Sequence, residues 1–156
     1  MSEKDFLDRA IELSKKSLTS EPGGPFGAVI VKDGRIVAEG WNEVTSTDDP
    51  TAHAEIQAIR KAGKALGHFN LAGTILYSSC EPCPMCLSAI YWARIDQVVY
   101  ANSRADAAAI GFDDAYIYDQ VSKHAANRDL HCVHQPNERA KAVFEAWAHK
   151  ENKTPY

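Results

Sequence analysis

Apolar positions recur at helical spacing from the start of the chain. Leu7, Ile11 and Leu18, with Ser14 in register and Phe6 and Ala10 alongside, predict a helix from about Glu3 to Leu18. Pro22-Gly-Gly-Pro25 stops it with a rigid loop. Phe26–Val31 is an apolar run of strand length, Asp33-Gly34 is a two-residue hairpin turn, and Arg35–Val44 is the returning strand. A polar loop, Thr45–Pro50, precedes a helix over about Thr51–Leu66 that Gly67 ends. Thr74–Ser79 is a third strand, Pro82–Arg94 a helix with proline at its start, and Gln97–Ala101 a fourth strand. Residues 102–128 read as loops with short helical pieces, and Leu130–Val133 as a fifth strand. Asn137–Lys150 is an amphipathic helix with Ala140, Val143, Phe144 and Trp147 on one stripe. This order predicts an α/β fold in which a five-stranded mixed sheet lies between helices.

Composition narrows the class. A chain of 156 residues that is 45% hydrophobic is the size of one domain (residues 1–156) with a full core. With 24% charged residues, nine Gly and seven Pro, it is neither collagen-like, low-complexity nor disordered. The net charge of −4 is uneven: residues 1–120 carry eleven basic and seventeen acidic groups, and residues 121–156 carry six and four. Neither part supplies the basic face that nucleic-acid binding usually needs. No apolar run approaches the roughly 18 residues of a membrane span, so no membrane partner is expected. The charged, amphipathic start is unlike a secretory signal. Four cysteines in such a chain imply a reducing cytoplasm, where clustered thiols read as metal ligands.

Three of those cysteines, Cys80, Cys83 and Cys86, fall within seven residues. Cys83 and Cys86, three apart in the first turn of a helix, face the same side. Thiolates there are favoured by the unpaired N–H groups and the positive end of the helix dipole. His53 opens another predicted helix, so two thiolates and one imidazole supply three zinc ligands, leaving a fourth position for water. Glu55 lies close enough to exchange protons with that water without binding the metal. The competing reading is a closed structural site with Cys80 as fourth ligand, belonging to a zinc-stabilised binding module that has no use for Glu55. The pair His131 and His134 resembles a metal motif, but in a strand the two would face opposite sides.

The combination His53-Ala-Glu55 and Pro82-Cys83-Pro-Met-Cys86 is the signature of zinc nucleobase deaminases. The chain resembles the cytidine deaminase-like superfamily and, within it, the bacterial guanine deaminases. The closer likeness rests on Gly23–Val29, Asp49–Glu55, Ser79–Cys86 with Ala89–Arg94, Gly111-Phe-Asp-Asp114 and the terminal Tyr156. It implies a three-layer αβα fold, one Zn2+ per chain on His53, Cys83 and Cys86, and hydrolysis of guanine to xanthine and ammonia. It also implies catalytic roles for Glu55 and Asp114 and substrate contacts from Phe26, Asn42, Ala54, Trp92 and Tyr156. A homodimer is implied too, with residues from about 136 to 156 crossing to the neighbour and Tyr156 covering its pocket. Residue by residue, plainer readings stand beside these: core packing for Phe26 and Trp92, a satisfied strand-end amide for Asn42, a solvated loop for Asp114, a frayed tail for Tyr156. The alternatives for the reaction are a tRNA adenosine deaminase or a deaminase of cytosine, a pterin or another amino-heterocycle.

Overall fold

The computed structural model describes all 156 residues. Helix α1 (Glu3–Ser14) starts in a capping box: the Asp5 N–H donates to the Ser2 hydroxyl and the Ser2 N–H donates to the Asp5 carboxylate. Its stripe buries Phe6, Ala10 and Leu13. The helix ends before Leu18: the Lys15 N–H tightens onto the Glu12 carbonyl, three residues back, and the Ser14 hydroxyl donates to the Ile11 carbonyl. Lys16–Thr19 is a separate turn, α2, and Leu18 is exposed.

Strands β1 (Gly27–Lys32) and β2 (Arg35–Trp41) form the predicted hairpin, followed by the short helix α3 (Val44–Thr47). Helix α4 (Ala54–Leu66) leads to β3 (Thr74–Cys80), helix α5 (Pro84–Trp92) and β4 (Gln97–Asn102). The sheet order is β2-β1-β3-β4, with β1 antiparallel to both neighbours and β3 parallel to β4. Because side chains alternate across a strand, each face has its own core. Val29, Val31 and Tyr77 pack on Phe6 and Leu13 of α1. Ala28, Ile30 and Leu76 pack on the alanines of α4 and on Ile90 of α5. Three layers result, as expected.

The approach of α4 to the sheet is unusually close. Ala54, Ala58 and Ala62, spaced by four, are fully buried and present no side chain beyond a methyl. Opposite them is Gly40 of β2, where a Cβ would lie 2.1 Å from the Ala54 carbonyl oxygen and 2.6 Å from the Ala58 nitrogen. Backbone meets backbone there, and the N-terminus of α4 is held over the end of β2.

The sheet has four strands, which corrects the expected five. Leu130 and Val133 are exposed and belong to no strand. A strand needs a partner, and the chain after helices α6 (Arg104–Ala109) and α7 (Ala115–Ser122) does not return to the free edge of β4. Helix α8 (Glu138–His149) forms with its apolar stripe, yet Val143, Phe144 and Trp147 are all exposed. No helix is long and apolar enough to cross a membrane.

Gly40→Ala tests the close approach. Overpacking against backbone cannot be relieved by a rotamer change, so the variant is expected to lose at least the ~1–3 kcal/mol typical of overpacked cores. Chemical denaturation measures this, and unchanged stability would show that the layer spacing adjusts freely.

Candidate active site

Two helix starts define the site. His53 occupies the N-cap of α4 and Cys83 the N-cap of α5, both with extended backbone. At Ser2, Ser103 and Asn137 the N-cap side chain bonds to its own helix, whereas His53 and Cys83 make no such bond. Both side chains are directed at each other instead. His53 Nδ1 lies 3.6 Å from Cys83 Sγ and 3.5 Å from Cys86 Sγ. The three ligand atoms all lie within 4.8 Å of one another. Tetrahedral zinc, with Zn–S about 2.3 Å and Zn–N about 2.0 Å, separates sulfur and nitrogen ligands by roughly 3.6 Å. The donor set and its spacing therefore fit zinc. Cys80 is not gathered into the cluster: its buried thiol, pushed up to about 11 chiefly by desolvation, lies 3.8 Å from the Ser103 carbonyl. The chain gathers three ligands at this point.

The electrostatics suit a cation. The hydrogen bond with the Cys86 thiol, and then that with His53, holds Cys83 down to about 4 against the opposing effect of burial. Cys86, the donor in that pair, is pushed up, and burial adds to the shift. The hydrogen bond to Cys83 raises His53. A soft cation takes the place of the shared thiol proton. Glu55, on the first turn of α4, is buried, and desolvation pushes its carboxyl above the usual range. Its Oε2 lies 3.5 Å from Cys86 Sγ. A carboxyl so placed is suited to moving protons at this spot.

A cavity of about 590 Å³ opens on the cluster. His53, Glu55 and Cys83 line it together with Phe26, Asn42, Phe112 and the pair Asp113 and Asp114. Asn42 falls just past β2 and is buried; its Oδ1 accepts from the Gly24 and Val44 N–H groups, both at 3.1 Å. With the oxygen engaged, its NH2 is left to contact a ligand. The acidic pair divides its work. Asp113 accepts from the Ala115 N–H, whereas Asp114 makes no capping bond and is raised by desolvation.

Three residues expected to contact substrate do not line the cavity of this chain. Ala54 sits between His53 and Glu55 but is packed in the core against β2, which uses up its methyl. Trp92 ends α5, opposite the metal-bearing start, and is exposed; Tyr156 stands beside it at 6.0 Å and beside Phe69 at 6.3 Å. Neither lines the cavity of its own chain. His131, His134 and Cys132 are exposed in an irregular segment and form no cluster. Two residues unmarked by any motif also matter: the Tyr118 hydroxyl donates to the Pro82 carbonyl at 2.7 Å, and Arg104 pairs with Glu81 at 3.3 Å. Together they tie α6 and α7 to the metal-bearing loop, a long-range docking with no local signal.

The model of the cytidine and deoxycytidylate deaminase zinc-binding region matches residues 1–102, which include the whole metal cluster and Glu55. The chain belongs to this deaminase family. It binds one zinc per chain through a donor set that the geometry has already shown to fit. The guanine deaminase of Bacillus subtilis is 51% identical over the full length of both chains. The X-ray structure of that enzyme superposes with a TM-score of 0.96, covering 100% of this chain and 99% of the other. A tRNA-specific adenosine deaminase of Agrobacterium fabrum is 41% identical over 101 residues, 65% of this chain and 66% of that relative.

Metal analysis of Cys83→Ser and Cys86→Ser should show most of the zinc lost, and full occupancy in both would remove these residues as ligands. Glu55→Gln keeps the shape but cannot accept a proton. It should retain zinc while deaminase turnover falls by about 10³-fold, within the general acid–base range. Loss of zinc in that variant would mean that Glu55 supports the site structurally.

Proposed function

We propose that the chain hydrolyses guanine to xanthine and ammonia. The observation that carries this reading is the full-length, 51% identity to a guanine deaminase, joined to a metal cluster with a buried carboxyl beside it. His53, Cys83 and Cys86 hold the zinc, which when bound brings the pKa of a coordinated water towards about 7. Glu55 accepts a proton from the water that attacks C2 and delivers it to the adjacent ring nitrogen. A second proton then passes through Glu55 to the departing amino group, so that water and guanine become xanthine and ammonia. Asn42 donates from its NH2 to an acceptor on the base. The exocyclic oxygen of guanine is one such acceptor. Asp114 accepts from the amino group that leaves, and Phe26 gives the flat ring an apolar wall.

The unpartnered C-terminal surface supports a homodimer in which residues from about 136 to 156 cross to the neighbour. Phe144 is 81% exposed on the α8 stripe, and Tyr91 and Trp92 on α5 and Tyr100 on β4 are exposed as well. Apolar surface of this extent marks an association site. Tyr156 lies away from the cavity of its own chain, so any covering role falls to the pocket of the partner subunit. Four free cysteines, three of them at the site, suit a reducing cytoplasm.

Ammonia release from guanine, adenine, cytosine, cytidine and a tRNA anticodon stem-loop should be greatest for guanine and nil for the RNA. Product from the stem-loop alone would favour a tRNA adenosine deaminase. Asp114→Asn should lower guanine turnover without altering thermal stability; an unchanged rate would return Asp114 to a solvated loop. Light scattering should report a dimer. A truncation ending at Lys150 should keep its zinc and lose at least tenfold in turnover, and unchanged turnover would exclude the C-terminus as a cover.

A further inference from the structure

Phe26 and Phe112 are the two phenyl rings that line the cavity. They come from distant parts of the chain and meet edge to face, with centroids 5.0 Å apart and planes at 89°. Phe112 lies outside the region matched by the family model, and its backbone sets its direction. Helix α6 ends in a Schellman motif: the Gly111 N–H donates to the Ala108 carbonyl and the Phe112 N–H to the Ala107 carbonyl. Gly111 takes the left-handed φ of 96° that this ending requires. The chain therefore turns abruptly and sends Phe112 across to the opposite loop.

What it meets there has been kept small. A Cβ at Gly24 would stand 3.0 Å from the Phe26 ring and 3.3 Å from that of Phe112. Yet Phe112 remains 46% exposed, so the ring is not spent on core packing. It stands at the border between cavity and solvent. Two perpendicular rings form a corner, and a flat heterocycle stacked on one has its rim held by the other. Asn42 and Asp114 act in the plane of a base. The corner restricts its tilt, on which the distance from C2 to the floor of the site depends.

We propose that Phe112 is a substrate-contacting residue that, with Phe26, forms the corner in which the base is seated. The proposal rests on the nucleobase deaminase reading above. Wild type, Phe112→Leu and Phe112→Ala are compared for ammonia release across guanine concentrations, with zinc content and thermal midpoint measured for each. Base–aromatic stacking makes the expected rise in KM about tenfold or more in both variants, larger than any change in kcat, with zinc unaltered. Leucine restores apolar volume but no ring. A Phe112→Leu protein with wild-type KM would therefore overturn the proposal and leave Phe112 as packing between two loops. Failure of the wild type to act on guanine would overturn the guanine reading instead, and the comparison is then run on whichever base of the panel releases ammonia. If no base reacts, both readings fall.

Discussion

Two helices aim their N-termini at one point, and everything else at the site depends on holding them there. An N-cap that forgoes its side-chain bond costs a helix on the order of 1 kcal/mol. Here both α4 and α5 forgo it, since His53 and Cys83 turn towards each other. The unpaired N–H groups and dipoles at the two ends favour thiolates and anionic oxygen in the space between. A metal held by these ligands would offset the lost caps. The proximity holds because Gly40 and the alanine stripe of α4 let helix and sheet meet at backbone distance, while α5 follows directly from the end of β3. A larger residue at any of these positions would move His53 and Glu55 together, away from the two cysteines.

The chain separates the chemistry from the shape of the substrate. Residues 1–102 build the sheet, the metal ligands and the buried Glu55 carboxyl beside them. The α6–α7 segment supplies the wall with Phe112 and Asp114, anchored by the Tyr118–Pro82 hydrogen bond and the Arg104–Glu81 pair. On α8 the apolar residues Val143, Phe144 and Trp147 face solvent, as does Tyr100 on β4.

Much of this was legible before any coordinates. The ligand set was readable because spacing within one helical turn is a local property: Cys83 and Cys86 must share a face. Prolines, glycines and apolar periods likewise marked the helices and the first four strands, since short-range geometry punctuates them. Expectations failed where the deciding contact was remote. Leu130–Val133 has strand composition but no strand beside it. Asp113 and Asp114 cannot be told apart by composition; in the structure the Ala115 N–H donates to Asp113 and not to Asp114.

The sequence by itself determined which residues could bind a metal and carry a proton, because each half of that motif is set within a few residues at a helix start. Only the tertiary structure decided that the halves meet at zinc-ligand distance, that Cys80 stays out, that the Asn42 oxygen is engaged, and that Phe112 reaches Phe26. Those outcomes depend on packing between segments far apart in the chain, where a methyl at Gly40 or Gly24 is enough to change the result, and no local pattern encodes that clearance.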